Sequence, residues 1–365
     1  MLNNSYLLID TNALAVNVRT LQGELDGAKL VPVIKDDAYG LGAVPVAKQL
    51  MNCGIDTFAV AHVSEGLALR DGGVDAEIWV MSIPLDFQIE SAVAADLILT
   101  VGNFRQFPVL CEAAKKANKR LTVQLKLDTG LHRIGFREDE LPQVARMFAE
   151  AAPYLQCAGT FSHFANNETE HMERQYSLFL SMAERLRDLG MDPGLLHISS
   201  SASLEANTKY NLDAVRVGRR LYMDHPVNPT GRIREIASLR AYITDIRQRK
   251  AGDSLSYGDV FHLPEDTPVG VLSVGYGDGL SPELFDRHAP VLIGGKRAKL
   301  LASCMDQSFV DLTGISCRVG DEVTLFGRDA DGVFLSSQEV ANWIGANEGC
   351  ALTGALTTRV ARVFR

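Results

Sequence analysis

Val31-Pro32-Val33-Ile34-Lys35-Asp36-Asp37-Ala38-Tyr39-Gly40-Leu41-Gly42 runs from an apolar segment into a charged, glycine-bearing turn. Its first half has strand length and β-branched residues, the composition of a buried strand in a parallel sheet. Tyr39, Gly40 and Gly42 make a turn, and Ala43 to Leu50 resumes with helical spacing. Lys35 therefore stands at the carboxyl end of a strand, where α/β barrels keep their chemistry.

An amine held against an apolar wall loses part of its charge to desolvation, and the neutral form attacks an aldehyde to give a Schiff base. Pyridoxal phosphate needs such a lysine. The plain alternative is a lysine reaching from a strand end into water, and this stretch alone leaves both open.

The chain of 365 residues is long for one domain and comfortable for two. A formal charge of -9 and a pI near 5.4 argue against a nucleic-acid or anionic-membrane partner. No cationic, apolar leader precedes Leu7-Leu8-Ile9-Asp10, and no apolar run approaches bilayer length, so the expected compartment is the cytoplasm. Cys53, Cys111, Cys157, Cys304, Cys317 and Cys350 lack CxxC or CxxH spacing, which suggests neither a metal site nor a disulfide framework. Most of them read as reduced, small core residues.

Short apolar runs recur after the lysine strand, at Thr57-Ala61, Glu77-Ser82, Leu97-Val101, Leu121-Asp128, Leu155-Phe164, Leu195-Ser201 and Leu212-Arg219. Helical stretches separate them. In one, Tyr176, Phe179, Leu180, Ala183 and Leu186 share a face, and Gly190 ends the segment. With the lysine strand this makes eight βα units, the number of a (β/α)8 TIM barrel, although a doubly wound sheet shows the same alternation. Past about residue 230 the rhythm changes. Runs at Leu239-Ile246, Pro268-Val274, Pro290-Ile293, Ala298-Cys304, Glu322-Phe326 and Gly332-Leu335 are separated by Gly, Asp and Pro turns, with one plausible helix near Ser337-Ile344. The expected α/β organisation is a barrel over 1-230 and a C-terminal, mostly β domain over 231-365, the first residues being free to join the latter.

Two further barrel strands end in polar sets. Lys126-Leu127-Asp128-Thr129-Gly130-Leu131-His132-Arg133-Ile134-Gly135 runs into a charged turn, and Val215-Arg216-Val217-Gly218-Arg219 carries an arginine that needs a partner if buried. A cofactor's ring nitrogen or phosphate would serve. His163 closes the run Gly159 to Phe164, and Ser199-Ser200-Ser201 suits either a turn or a phosphate cradle. In the β domain, Ser256-Tyr257-Gly258 and Gly275-Tyr276-Gly277-Asp278-Gly279 each present a tyrosine among small residues, and Ser303-Cys304-Met305-Asp306-Gln307 ends another strand. A tyrosine, with an ordinary pKa of about 10, acts as a base only where a cation or hydrogen bond stabilises its phenolate.

The order and spacing of these motifs resemble the alanine racemase family of pyridoxal-phosphate enzymes over nearly the whole chain. Lys35 with Asp37-Ala38-Tyr39-Gly40-Leu41-Gly42 matches its lysine turn, and Lys126 to Gly135 its K-x-D-T-G-x-x-R-x-G turn. His163, His197 to Ser201, Arg216 to Gly218 and the S-Y-G, G-Y-x-D-G and M-D-Q motifs follow in order. The resemblance implies that Lys35 holds pyridoxal 5'-phosphate and moves the α-proton of a small amino acid on one face. Tyr257 from a partner subunit would serve the other face in a homodimer with shared sites. Arg216 would hydrogen-bond the pyridine nitrogen, and His163 would link it to Tyr257 and help lower the tyrosine's pKa. Tyr39, Ser201 and the backbone at Gly218 and Arg219 would hold the phosphate. Arg133 would stand by the cofactor's phenolic oxygen and the substrate carboxylate, oriented by Lys126, which many relatives carry carbamylated. Tyr276, Met305 and Asp306 would border the substrate, and the D-alanine formed would supply cell-wall peptidoglycan.

Three departures bear on substrate choice. Asn347 or Cys350 takes the place of the family's pocket tyrosine, Arg219 replaces an aliphatic residue, and Gly279-Leu280-Ser281-Pro282 lacks the usual aromatic residue and arginine. Alanine ranks first as substrate, and serine or a broader amino-acid range second. A pyridoxal-phosphate decarboxylase and a non-catalytic cofactor carrier are the other classes; Arg216, Tyr257 and the retained β domain argue against both.

Overall fold

The computed structural model describes residues 3–224, 230–259 and 261–365. Residues 225–229, just before the expected boundary at 230, and the first two residues lie outside the described residues. The chain divides into two compact units, one of Val18–Ala38 and Ala43–Leu221, the other of Met1–Asn17, Tyr39–Gly42 and Tyr222–Arg365. Strand β1 (Ser5–Ile9) belongs to the second.

The first unit is built on β2 (Lys29–Pro32), β3 (Thr57–Val60), β4 (Glu77–Val80), β5 (Ile98–Val101), β6 (Leu121–Lys126), β7 (Leu155–Phe161), β8 (Leu195–His197) and β9 (Ala214–Val217). All pair in parallel: β3 to β8 as one sheet, β2 with β9 as another. A bridge from Val33 to Ala59 ties β2 to β3, and one from Ser200 to Arg216 ties β8 to β9. The eight strands thus close into the barrel expected from the apolar runs.

The runs are continuous because both strand faces are covered. Every residue of β3, β5 and β9 is buried. Inside, Val31, Val33, Ala59, Trp79, Ile98 and Ala214 form one cluster, each large side chain contributing about 1.5–3 kcal/mol by its removal from water. Outside, the helix Thr169–Asp188 buries Met172, Phe179, Met182, Ala183 and Leu186. It stops where Gly190 takes φ +80°, which favours a residue without a Cβ.

The second unit is organised by β10 (Ala237–Arg249), a 13-residue strand whose two halves have different neighbours. Leu239–Tyr242 pair with Glu322–Arg328 and Ile243–Arg249 with Thr267–Leu272, with a register shift between Ile243 and Asp245. Ser308–Asp311, Lys296–Ser303 and Pro290–Ile293 complete a ring of six antiparallel strands back to Glu322–Arg328. β1 adds to β10, and Ala361–Phe364 runs parallel to β1.

The sequence suggests one helix here, yet Glu283–Asp286 and Cys350–Ala355 are helical as well as Ser337–Trp343. They are too short to show helical periodicity. The six cysteines are free thiols, half-buried instead of set in the core.

Candidate active site

The barrel's chemistry-bearing residues lie at the carboxyl ends of its strands. Lys35 follows β2 by three residues and opens a turn in which Asp36, Asp37, Ala38 and Tyr39 take φ between 52° and 58°. This is a left-handed helical turn, not the simple glycine turn expected, and for L-residues it costs about 1–2 kcal/mol per residue. Local hydrogen bonds offset the strain: Asp36 N–H donates to Glu65 Oε1 at 2.7 Å, and Asp37 Oδ1 accepts from Ala43 N–H at 2.7 Å. The other Glu65 oxygen accepts from the N–H groups of Ala61 and His62. Glu65 therefore pins the lysine turn to the end of β3.

Arg216, 4 % exposed, crosses the barrel mouth from β9. Its partners are the carbonyls of Ser162 (2.7 Å), His197 (3.0 Å) and Ile198 (3.2 Å) and the Nδ1 atoms of His197 (2.6 Å) and His163 (3.4 Å). Because a guanidinium only donates, both Nδ1 atoms accept and the hydrogen of each neutral imidazole sits on Nε2. In His197 that hydrogen goes to Gln124 Oε1 at 3.1 Å. The Phe161 ring stacks on His197 at 5.2 Å and lies 5.4 Å from the Arg216 guanidinium carbon. Burial pulls Arg216 down to about 9, which leaves it charged at neutral pH.

The neighbours of Arg216 respond to it. Burial first, then the charges of Arg216, Arg133, Lys126 and Lys35, push His163 down to about 3. The expected set of one histidine and four cations thus acts at one locus. Lys126, 2 % exposed at the end of β6, donates to the Leu127 carbonyl, and burial takes it down to about 7 despite the carboxylate of Asp128. Arg133 is exposed. Its charge and that of Arg216 also lower Lys126.

A second donor cluster lies where β8 and β9 end. Ser201 opens the helix Ser201–Ala206, and its Oγ accepts from the N–H groups of Gly218 (3.2 Å) and Arg220 (3.5 Å). The Arg219 side chain is engaged elsewhere. Its guanidinium is paired with both oxygens of Glu205, at 2.9 and 2.8 Å, which leaves only its backbone for the phosphate contact expected of it. Glu205 also meets Arg220 at 3.2 Å, and Arg220 pairs with Glu24 at 2.6 Å.

The remaining expected residues belong to the other unit. The Tyr39 ring packs at 5.7 Å from Tyr222. Gly40 lies so close to the helix Cys350–Ala355 that a Cβ on it would fall 2.0 Å from the Thr353 carbonyl oxygen. Arg362 Nε donates to the Gly40 carbonyl at 2.9 Å. Tyr257 is 68 % exposed and shares its surroundings with Cys304, Tyr276 and Asp306, acidic groups whose ionisation opposes that of the phenol and so raises its pKa. Tyr276 and Met305 are also exposed, and Asp306 is paired with Arg359 at 2.6 Å. The Asn347 carbonyl accepts from Gln338 Nε2 at 3.3 Å, whereas Cys350 heads the short helix with its thiol directed to Glu348.

Sequence reasoning missed Glu65, Gln124, Phe161 and Glu205. Gln124, a buried polar residue in an otherwise apolar strand, carried a readable signal. The others depend on which distant side chain meets them.

The donor set fits pyridoxal phosphate. A buried guanidinium resting on carbonyls and neutral imidazoles suits an uncharged ring nitrogen, and a surplus of cations suits a phosphate dianion.

The family of alanine racemase N-terminal domains matches residues 9–226, and that of alanine racemase C-terminal domains matches residues 236–364. Among curated relatives, the alanine racemase of Clostridium tetani is 30 % identical over 98 % of this chain and 94 % of its own length. That of Mycolicibacterium smegmatis is 33 % identical over 91 % and 87 %. Among solved structures, alanine racemase from Clostridium difficile 630 superposes with a TM-score of 0.92 at 28 % identity, over 100 % of this chain and 96 % of that one. The Bacillus anthracis alanine racemase with bound L-Ala-P gives 0.91 at 28 %, over 100 % and 96 %. The chain belongs to the alanine racemase family of pyridoxal-phosphate isomerases.

Proposed function

We propose that this protein interconverts L- and D-alanine, with Lys35 carrying the α-proton on one face of the substrate and Tyr257 of the partner subunit on the other. The observation that carries this reading is Arg216: a buried guanidinium held by three carbonyls and two neutral histidines at the mouth of the barrel. Pyridoxal phosphate supplies the electron withdrawal that acidifies the substrate's α-carbon. Arg216 donates to the cofactor's ring nitrogen and keeps its own proton, which limits that withdrawal and favours return of the α-proton over side reactions. Ser201 and the backbone of Gly218 and Arg219 hold the phosphate, with Tyr39.

Two bases are needed because a proton leaves one side of a planar carbon and arrives at the other. A single fixed group tends to restore the enantiomer it started from. His163 is neutral, so it assists Tyr257 by donating its Nε2 hydrogen and not by charge. Lys126, with a pKa near 7, has a neutral amine available to add carbon dioxide. The N–C bond forms, one proton leaves, and the resulting carbamate gives Arg133 an anion to orient against. Arg133, Tyr276, Met305 and Asp306 border the substrate.

Exposure of Tyr257, Tyr276 and Met305 together on one unit supports a homodimer in which each subunit completes the other's site. We take residues 1–230 as the cofactor domain and 231–365 as the β domain, with β1 joined to the latter's sheet. Among the described residues no helix is long and apolar enough to cross a membrane. The cytoplasm is the proposed compartment, where D-alanine enters peptidoglycan synthesis.

The test follows each L-amino acid of a panel in deuterated water with the holoenzyme. Alanine should take up α-deuterium and yield the opposite enantiomer faster than serine or larger side chains. Carbon dioxide release, or no exchange at all, would overturn the reading. Borohydride treatment of the same preparation should fix the cofactor's mass on the peptide containing Lys35.

A further inference from the structure

The helix Ser201–Ala206 and the turn Arg219–Leu221 are joined twice, once near each end of the helix. Ser201 and Glu205 stand four residues apart and so share one helix face. At the first join, Ser201 Oγ accepts from the N–H groups of Gly218 (3.2 Å) and Arg220 (3.5 Å). Both contacts lie at or beyond the long end of ordinary hydrogen-bond lengths, so they hold the turn weakly. They are also accepting contacts, which do not spend the hydroxyl hydrogen.

Glu205 makes the second join, and it is the stronger one. Its two oxygens accept from Arg219 Nη2 at 2.9 and 2.8 Å, and its Oε1 lies 3.2 Å from Arg220 Nε. Arg220 is held from its other side by Glu24, at 2.6 and 3.3 Å. All four residues belong to the barrel unit. The side chains of Arg219, Arg220 and Glu205 are each no more than 10 % exposed. There a charged pair is screened far less than on the surface, and loss of the carboxylate would strand two buried guanidiniums. Two cations and two anions cancel within this set, so it brings no net charge to the neighbouring cradle. What it supplies is position.

We propose that Glu205 is a positioning residue for the cofactor's phosphate: it clamps the turn after β9 to the helix after β8, so that Ser201 Oγ and the backbone at Gly218 and Arg219 converge on one anion. This rests on the reading that those groups hold the phosphate. Convergent donors grip an anion only if they keep their places to within about 0.5 Å. The two long contacts of Ser201 do not fix the turn that closely, and the paired guanidiniums do.

The experiment titrates the full chain, freed of cofactor, with pyridoxal phosphate and separately with pyridoxal, following the visible absorbance. Pyridoxal forms the same bond to a lysine and carries no phosphate, so the ratio of the two dissociation constants isolates the phosphate grip. In Glu205→Gln the preference for pyridoxal phosphate should fall about ten-fold, with pyridoxal affinity kept within about two-fold. Glu205→Asp keeps the charge with a shorter reach and should lose about three-fold. It decides the matter on the same terms if the glutamine variant does not fold. General loosening of the barrel would weaken both ligands alike, and an Arg219 set free to take the phosphate itself would raise the preference. Either result, or an unchanged preference, overturns the clamp. If the parent chain shows no preference between the two ligands, the phosphate reading itself falls. A preference present in the parent and unmoved in the variants leaves that reading standing and removes Glu205 from it.

Discussion

The barrel mouth and the Tyr257 cluster carry the two proposed proton carriers in opposite surroundings. Around Arg216, burial moves three basic groups down: Arg216 to about 9, Lys126 to about 7 and His163 to about 3. Around Tyr257 the side chain is 68 % exposed and its pKa moves up, through the acidic groups Cys304, Tyr276 and Asp306 beside it. One region therefore gathers basic groups, and the other acidic ones. That contrast is an electrostatic argument for the proposed site shared between two subunits.

Removing the carriers should break the comparison most visibly. Lys35→Ala should lose racemisation in both directions by at least about a thousand-fold, since it would remove both the proposed cofactor tether and a proposed base. Tyr257→Phe should lose about a hundred- to ten-thousand-fold in one direction and much less in the other, as read from initial rates with each enantiomer. Its unfolding free energy should stay within about 0.5 kcal/mol of the parent, because an exposed side chain away from packing contributes little. If Tyr257→Phe instead unfolds the chain as readily as a core change does, the cluster is structural and the contrast fails.

Arg216→Gln should show the reverse balance. It strands three carbonyls and two imidazole nitrogens in a buried place, so unfolding in urea should lose about 3 kcal/mol. Activity should fall as well, because the cofactor's ring nitrogen would lose the donor proposed for it. A loss below about 0.5 kcal/mol would mean that water replaces the guanidinium, and that the mouth is wetter than its burial implies.

Much of this contrast was legible in the chain itself, and the part that was not has a common cause. The eight barrel strands could be read because parallel strands covered on both faces leave uninterrupted apolar runs. Lys35, Lys126, His163 and Arg216 could be picked because each closes or interrupts such a run. The left-handed turn at Asp36–Tyr39 could not be read. Asp tolerates that conformation without demanding it, and what imposes it is Glu65, 29 residues beyond Asp36. The pairing of Arg219 with Glu205 is invisible for the same reason, as is the shift of Lys126 to about 7, which burial creates and no neighbour in the sequence announces. Even the two missed helices, Glu283–Asp286 and Cys350–Ala355, are held by tertiary context and not by their own periodicity.

The last effect concerns pH and folding, and its sign follows from the direction of the shifts. His163 is held near 3 in the folded chain, against about 6.5 when exposed, and His197 is also held well below its ordinary value. Between those limits the unfolded chain binds a proton that the folded chain refuses. Stability therefore falls as the pH drops through about 6.5, by roughly 1.4 kcal/mol per unit for each such histidine, until His163 titrates near 3. Lys126 acts at the other end. Its folded value near 7 lies below the 10.5 of a free lysine, so folding against an unmodified amine strengthens as the pH rises from 7 toward 10.5. A carbamate on Lys126 removes that alkaline rise, because the nitrogen no longer titrates as an amine. Denaturant midpoints measured from pH 5 to 9, with and without added bicarbonate, separate the two cases. His163→Asn should reduce the acid slope by one histidine's share and leave the alkaline limb alone. If the acid slope is unchanged in that variant, His163 is already charged in the folded chain, and it then assists Tyr257 by charge instead of by a hydrogen bond.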